Sequence, residues 1–320
     1  MAHDDGLDAG HRSKYRPDID GLRAIAVLAV LAYHFGFVSG GFVGVDVFFV
    51  ISGYFITGIL VDELAGGTFG LSSLAQFYVR RIRRITPALT AVCLASVVAA
   101  YVLLFPSDLI EFGRSLQSVA VMISNYHFQR KTDYFDGAAD EKPLLHTWSL
   151  GVEEQYYLAF PIALWAVWRW GGRRAALIIC LAGAIASLGY AETTVQSNSA
   201  VAFFSTPARI WELLTGALLA IGRDQLPSGV AVREGMATVG AMLIGWACLM
   251  FTPETTFPGL SATIPVLGSA FVIAAGERSA TGVGRILASG LLAGIGLISY
   301  SVYLWHWPLL VLAGVILVTR

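Results

Sequence analysis

Apolar runs of about twenty residues recur along this chain, and they constrain its fold more than any other feature. A bilayer core about 30 Å thick needs about twenty helical residues to cross it, and buried backbone polar groups there must be satisfied within the chain. Candidate spans fall near 20–38, 42–61, 86–105, 150–168, 174–190, 208–222, 235–252, 261–276 and 296–318. A further run at 109–124 is short and polar-edged and reads as a re-entrant or partial span. The chain is 56% hydrophobic and only 13% charged, where soluble domains carry about 25% charged residues. The expected fold is therefore an all-α, polytopic transmembrane helical bundle of about nine to ten membrane segments. Residues 1–18 are expected to form a cytoplasmic tail and 19–318 the transmembrane domain.

The distribution of positive charge sets an expected orientation. Arg12, Lys14 and Arg16 precede the first span, and Arg80, Arg81, Arg83 and Arg84 follow the second. Arg169, Arg173 and Arg174 separate two later spans, while Arg223 with Arg233 and Arg278 with Arg285 mark two more boundaries. All five clusters fall on one side if the N-terminus is cytoplasmic and 106–149 lies outside. The first apolar run is long enough to span and leads directly into the second, so it is expected to be a retained helix, not a cleaved signal. A net charge of −1 gives no sign of a nucleic-acid partner. Cys93, Cys180 and Cys248 each sit in an apolar run and read as inert thiols. The histidines are too far apart in sequence for a local metal motif, and no Walker loop, HExxH or GxSxG is present.

Within this frame, polar residues in apolar surroundings become candidates, because an ionisable group in lipid is costly and is retained for a function or a partner. Arg23 and His34 lie eleven residues apart in GLRAIAVLAVLAYHFGFV, close to three helical turns. They therefore share a face at depths about 16 Å apart. QFYVRRIRRITPAL, residues 76–89, pairs Arg81 with Arg84 and Arg80 with Arg83 at i, i+3. Four guanidiniums at a membrane surface suit a polyanion such as a phosphate ester, or simply lipid headgroups. Pro87 is expected to start the next helix.

In GGFVGVDVFFVISGYFITGIL, Asp46 needs a partner, and His34 at the end of the preceding antiparallel helix is the expected one. Ser52, Gly53 and Tyr54 form a small-residue patch for close packing or ligand passage. KPLLHTWSLGVEEQYYLAFPIAL brings His146, Trp148, Glu153 and Glu154 to the opposite membrane boundary. The adjacent glutamates point about 100° apart, so one faces a cavity while the other turns away. Arg209 and Glu212 read as an i, i+3 structural bridge, and His306 in SYSVYLWHWPLL as an interfacial anchor.

Five ordered motifs carry a resemblance: YRPDIDGLRAIAVLAVLAYH, GGFVGVDVFFVISGYFITGIL, FYVRRIRRITPAL, LLHTWSLGVEEQYYLAFP and ISYSVYLWHWPLL. Together they resemble the integral-membrane acyltransferase family 3, bacterial O-acyltransferases of envelope polysaccharides, from about Tyr15 to Leu317. The resemblance implies location in the bacterial cytoplasmic (inner) membrane. It implies an acyl group, usually acetyl, taken from cytoplasmic acyl-CoA and delivered to a hydroxyl of an extracytoplasmic envelope glycan or glycolipid, lipopolysaccharide among them. It places the family's Arg-x10-His feature on Arg23 and His34 and its RxxR feature on Arg81 and Arg84.

Acetyl-CoA is then a donor substrate, and no tightly bound cofactor or metal is expected. Arg23, Arg80, Arg81, Arg83, Arg84, Ser52 and Tyr54 form the expected acyl-CoA side. His34, Asp46 and Glu154 form the expected catalytic group, with His34 as general base or transient acyl carrier. His146, Trp148 and Glu153 form the expected acceptor side. Similar relatives continue into an SGNH-type domain, which residues 1–320 are not expected to contain. The rival reading is a secondary transporter of an anionic or lipid-linked sugar.

Overall fold

The computed structural model describes residues 15–131 and 142–318, the side chains of 316–318 excepted. Arg12 and Lys14 of the first basic cluster, and positions 1–14 of the expected tail, lie outside the described residues. The described chain is helical: α1 (Pro17–His34), α2 (Gly44–Ala65), α3 (Leu71–Leu103), α4 (Pro106–Ala120), α5 (Ser124–Arg130), α6 (Thr147–Ser197), α7 (Ser199–Phe204), α8 (Thr206–Ile221), α9 (Val230–Met250), α10 (Thr263–Ala275), α11 (Gly282–Leu287) and α12 (Gly290–Val318). Short 3₁₀ turns precede α2 and α10 and follow α8.

Among the described residues, four helical stretches are long and apolar enough to cross a membrane: Gly41–Ala65, Leu71–Leu103, Thr147–Ser197 and Gly290–Val315. The count of nine to ten is thus not reached by length and apolarity. Two of the remaining candidates fall short for plain reasons: α8 has 16 residues and carries Arg209 and Glu212, and α1 carries Asp18, Asp20 and Arg23.

Two breaks in the expected boundaries have local causes. α6 runs through 51 residues but is interrupted at Gly172, where φ is 63° and ψ −164°. That backbone conformation is nearly closed to residues with a Cβ. It divides α6 into halves that match the expected runs 150–168 and 174–190. α3, in contrast, does not begin at Pro87. It starts at Leu71 and carries Pro87 in its interior. The amphipathic RRIRR stretch is already helical, held by buried Phe77 and by the Tyr78 hydroxyl donating to the Leu158 carbonyl at 2.8 Å.

α2 packs against both α1 and α8. Its approach to α8 is close at reciprocal glycines. A Cβ on Gly53 would sit 1.9 Å from the Leu213 carbonyl oxygen, and one on Gly216 2.1 Å from that of Val50. The small-residue patch is therefore used for helix packing at Gly53. α12 lies along α1 and also touches α3. Basic residues near helix ends and turns pair with acids, most of them from other elements. Arg16 pairs with Asp18 at 2.7 Å and Glu277 at 3.0 Å, Arg173 with Asp224 at 2.6 Å, and Arg223 with Asp62.

Candidate active site

α1, α2, α3, the first half of α6, and α12 line a partly open cavity of about 110 Å³. Each wall is a helical stripe. α2 contributes Val45, Phe48, Phe49, Ser52, Phe55 and Ile56; α6 contributes Ser149, Glu153 and Tyr157 at i, i+4, i+8. α12 contributes Ser299, Tyr300, Tyr303 and Leu304, and Arg23, Arg81 and Arg84 come from α1 and α3. The α2 stripe runs from Val45 to Ile56, eleven steps of helical rise, so the cavity extends about 16 Å along the bundle.

One end of the cavity is basic. Arg23 is held by Asp20 at 2.8 Å, and its guanidinium lies 4.8 Å from the Phe55 ring centre. The Arg81 guanidinium sits over Phe77 at 5.6 Å and Tyr157 at 5.9 Å. Its Nε is buried with no hydrogen-bond partner. A buried N–H donor without an acceptor is costly, and an anionic ligand would satisfy it. Arg84 completes the basic wall. The i, i+3 pairs thus separate: Arg81 and Arg84 line the cavity, while Arg80 is exposed and pairs with Glu63 at 3.3 Å. Arg83 is exposed and is not on the cavity wall.

At the other end the wall is Val45, Ser149 and Tyr303. Tyr303 joins the cavity to a histidine cluster. Its hydroxyl donates to the His146 carbonyl at 3.0 Å and lies 2.7 Å from the Ser149 hydroxyl. Its ring centre is 5.3 Å from that of His306 and 5.7 Å from that of His146. His34, in the last turn of α1, stacks on His306 with ring centres 5.1 Å apart. Its Nδ1 is 3.2 Å from His306 Nε2, and Trp307 covers it at 4.6 Å. Histidines remote in sequence are therefore neighbours in space, although among the described residues no group of three His, Cys, Asp or Glu is arranged to hold a metal ion.

Several expected placements are corrected. Asp46 does not meet His34. It is on a different face of α2 from the cavity stripe and pairs with Arg209 of α8 at 3.0 Å. Arg209 also lies 3.1 Å from Glu212, and the three side chains are at most 1% exposed. Phe49, Trp148, Phe203 and Phe257 surround this guanidinium at 5.4–5.8 Å. Trp148 is accordingly part of a sealed aromatic box and not of an open acceptor mouth.

Of the adjacent glutamates, Glu153 faces the cavity, where Ser52 donates to it at 2.5 Å; Glu154 is about 100° around the helix and off the wall. Glu153 is thus in the middle of the cavity, opposite Ser52, and not at a boundary. Tyr54 points away from the cavity and bonds Glu277 beside Arg16. His146 is buried as part of the cluster.

α12 contributes to the site more than its sequence pattern leads one to expect. His306 is buried against His34 and is no interfacial anchor, and Tyr303 lines the cavity. A signal was present: Ser299, Tyr303 and His306 fall at i, i+4, i+7, a polar stripe on an otherwise apolar helix.

A family model described as "Acyltransferase domain" matches residues 16–319. "Putative peptidoglycan O-acetyltransferase YrhL" of Bacillus subtilis (strain 168) is 34% identical over 94% of this chain and 49% of its own length. "Peptidoglycan O-acetyltransferase OatA" of Listeria monocytogenes is 33% identical over 95% of this chain and 51% of its own. The chain spans about half the length of the curated relatives it matches. No solved structure gives a significant match.

Proposed function

Because the chain belongs to the acyltransferase-domain family over residues 16–319, we propose that it moves an acetyl group from cytoplasmic acetyl-CoA to a hydroxyl of an envelope glycan outside the membrane. Peptidoglycan is the favoured acceptor, since that is the substrate in the names of similar relatives. The observation that carries this reading is one cavity with three arginines at one end and Tyr303, next to the histidine cluster, at the other.

Coenzyme A is a polyanion with a thin arm that ends in a thioester. Arg81 and Arg84, with Arg23 deeper, receive the phosphates, for which the planar guanidinium fork is suited. The narrow cavity accepts the arm and not the nucleotide. The separation of about 16 Å between Arg23 and His34 then brings the thioester to the histidine end.

There His34 acts as general base. It takes the proton of the acceptor hydroxyl while that oxygen bonds the thioester carbon. The carbon–sulfur bond breaks, and the departing thiolate recovers the proton as free CoA. An acyl-His34 intermediate would use the same nitrogen in two steps. The cytoplasmic N-terminus and the inward-facing arginines belong to this proposal. A secondary transporter gains no specific support from this geometry.

The test is CoA release from labelled acetyl-CoA by purified protein in proteoliposomes that contain muropeptide acceptor. Wild type is expected to release CoA. His34→Ala is expected to lose about 10²–10⁴-fold while it still elutes as a folded species. Full turnover by folded His34→Ala would sink the assignment.

A further inference from the structure

The hydrogen bonds around His306 fix which nitrogen of His34 can react. His306 Nδ1 lies 2.5 Å from the backbone carbonyl of Tyr303. A carbonyl oxygen only accepts, so His306 Nδ1 carries a hydrogen. In the neutral ring Nε2 is then a bare lone pair. That lone pair faces His34 Nδ1 at 3.2 Å. Two lone pairs at this distance repel, so His34 Nδ1 supplies the N–H and His34 Nε2 is left unprotonated. Trp307 covers the His34 ring at 4.6 Å and is itself tethered by its indole N–H to the Lys142 carbonyl at 2.9 Å. The ring is thus held against rotation.

We infer that His306 is the positioning residue of the reaction: through the chain Tyr303 carbonyl, His306, His34, it presents His34 Nε2 as the reacting nitrogen. This inference rests on the acyltransferase role proposed for His34. His306 does for His34 what the carboxylate does in a Ser-His-Asp arrangement, where it holds the imidazole in one tautomer and orientation. It does so without a charge, which fits the engagement of Asp46 with Arg209 and the lack, among the described residues, of a carboxylate ion-paired to His34. When Nε2 takes a proton from the acceptor hydroxyl, the resulting imidazolium keeps its Nδ1–H on the neutral His306 lone pair. The proton then leaves from Nε2 to the CoA thiolate, and His306 returns unchanged. The same arrangement serves an acyl carrier, because the only free lone pair is again on Nε2.

The first test is nitrogen NMR of histidine-labelled wild-type protein in bilayers, with His34 assigned by its loss in His34→Ala. A His34 signal set with Nδ1 protonated and Nε2 bare is expected. A protonated Nε2 on neutral His34 would overturn the inference whether or not the protein is an acetyltransferase.

The second test uses kinetics. His306→Phe keeps the stacked ring but removes the acceptor, and is expected to lower kcat about 10²-fold with KM for acetyl-CoA within threefold. His306→Gln restores an acceptor oxygen near the Nε2 position and is expected to recover at least tenfold over the Phe variant. Equal activity in the Phe and Gln variants would assign His306 a packing role only and overturn the inference. Full turnover in His34→Ala would instead remove the underlying role of His34, while the tautomer measurement would still stand.

Discussion

Two of the arginine sites within this bundle, at Arg209 and at Arg81, are built in different ways. Arg209 is 1% exposed, held by two carboxylates and enclosed by four aromatic rings. Arg81 is packed on rings, has no carboxylate ion-paired to it among the described residues, and lines a cavity with Arg23 and Arg84; a buried Nε is unpaired in both arginines. Both cost free energy to place in an apolar interior. The first has its charge matched by carboxylates of the protein, whereas the second borders a cavity in which an anion can match it. Intramembrane charge therefore marks a candidate, and whether its partners come from the protein decides between scaffold and site.

The sharpest way to break this contrast is at Arg209. Arg209→Met leaves Asp46 and Glu212 buried without their cation, a loss of about 3–5 kcal/mol. We expect it to abolish the folded, detergent-stable protein by size-exclusion and thermal scattering. The triple change Asp46→Leu, Arg209→Met, Glu212→Leu removes the charges together. Replacement of a complete buried ion set by apolar residues is often neutral or stabilising, so the triple variant should be recovered folded and release CoA within tenfold of wild type. A folded but inactive triple variant would move this cluster into the site.

Helix contact comes next: Gly53→Val places side-chain atoms against the Leu213 backbone, and an overpacking cost of about 3 kcal/mol is expected in thermal unfolding. Smaller still is Ser52→Ala, which removes the bond to Glu153 at a cost of about 1–2 kcal/mol, with the fold retained.

The sequence exposed the helical class, the membrane character and the residues of the basic wall, because hydropathy runs and i, i+3 spacing are local properties. It also placed the break between 168 and 174, where Gly172 divides α6. The partner of His34 is not legible in the sequence, because rotation about a helix axis is set by neighbours. Asp46 and Val45 are adjacent, yet Val45 faces the cavity while Asp46 faces Arg209. The same 100° step exchanged Glu153 with Glu154. His306 was hidden for another reason. Its meaning depends on His34, 272 positions away, and a WHW triplet near a helix end looks like an interfacial belt.

The central claim, that the cavity face of the RRIRR stretch binds the donor while the outer face does not, is tested most directly by equilibrium binding of acetyl-CoA to purified protein. The variants to compare with wild type are Arg81→Ala/Arg84→Ala and Arg80→Ala/Arg83→Ala, which remove the same charge from the same helix. Two lost charge-assisted contacts of about 1.5 kcal/mol each correspond to a Kd raised about 100-fold for the first pair, with the second within threefold of wild type. Equal weakening in both pairs would mean a diffuse surface attraction and contradict the account.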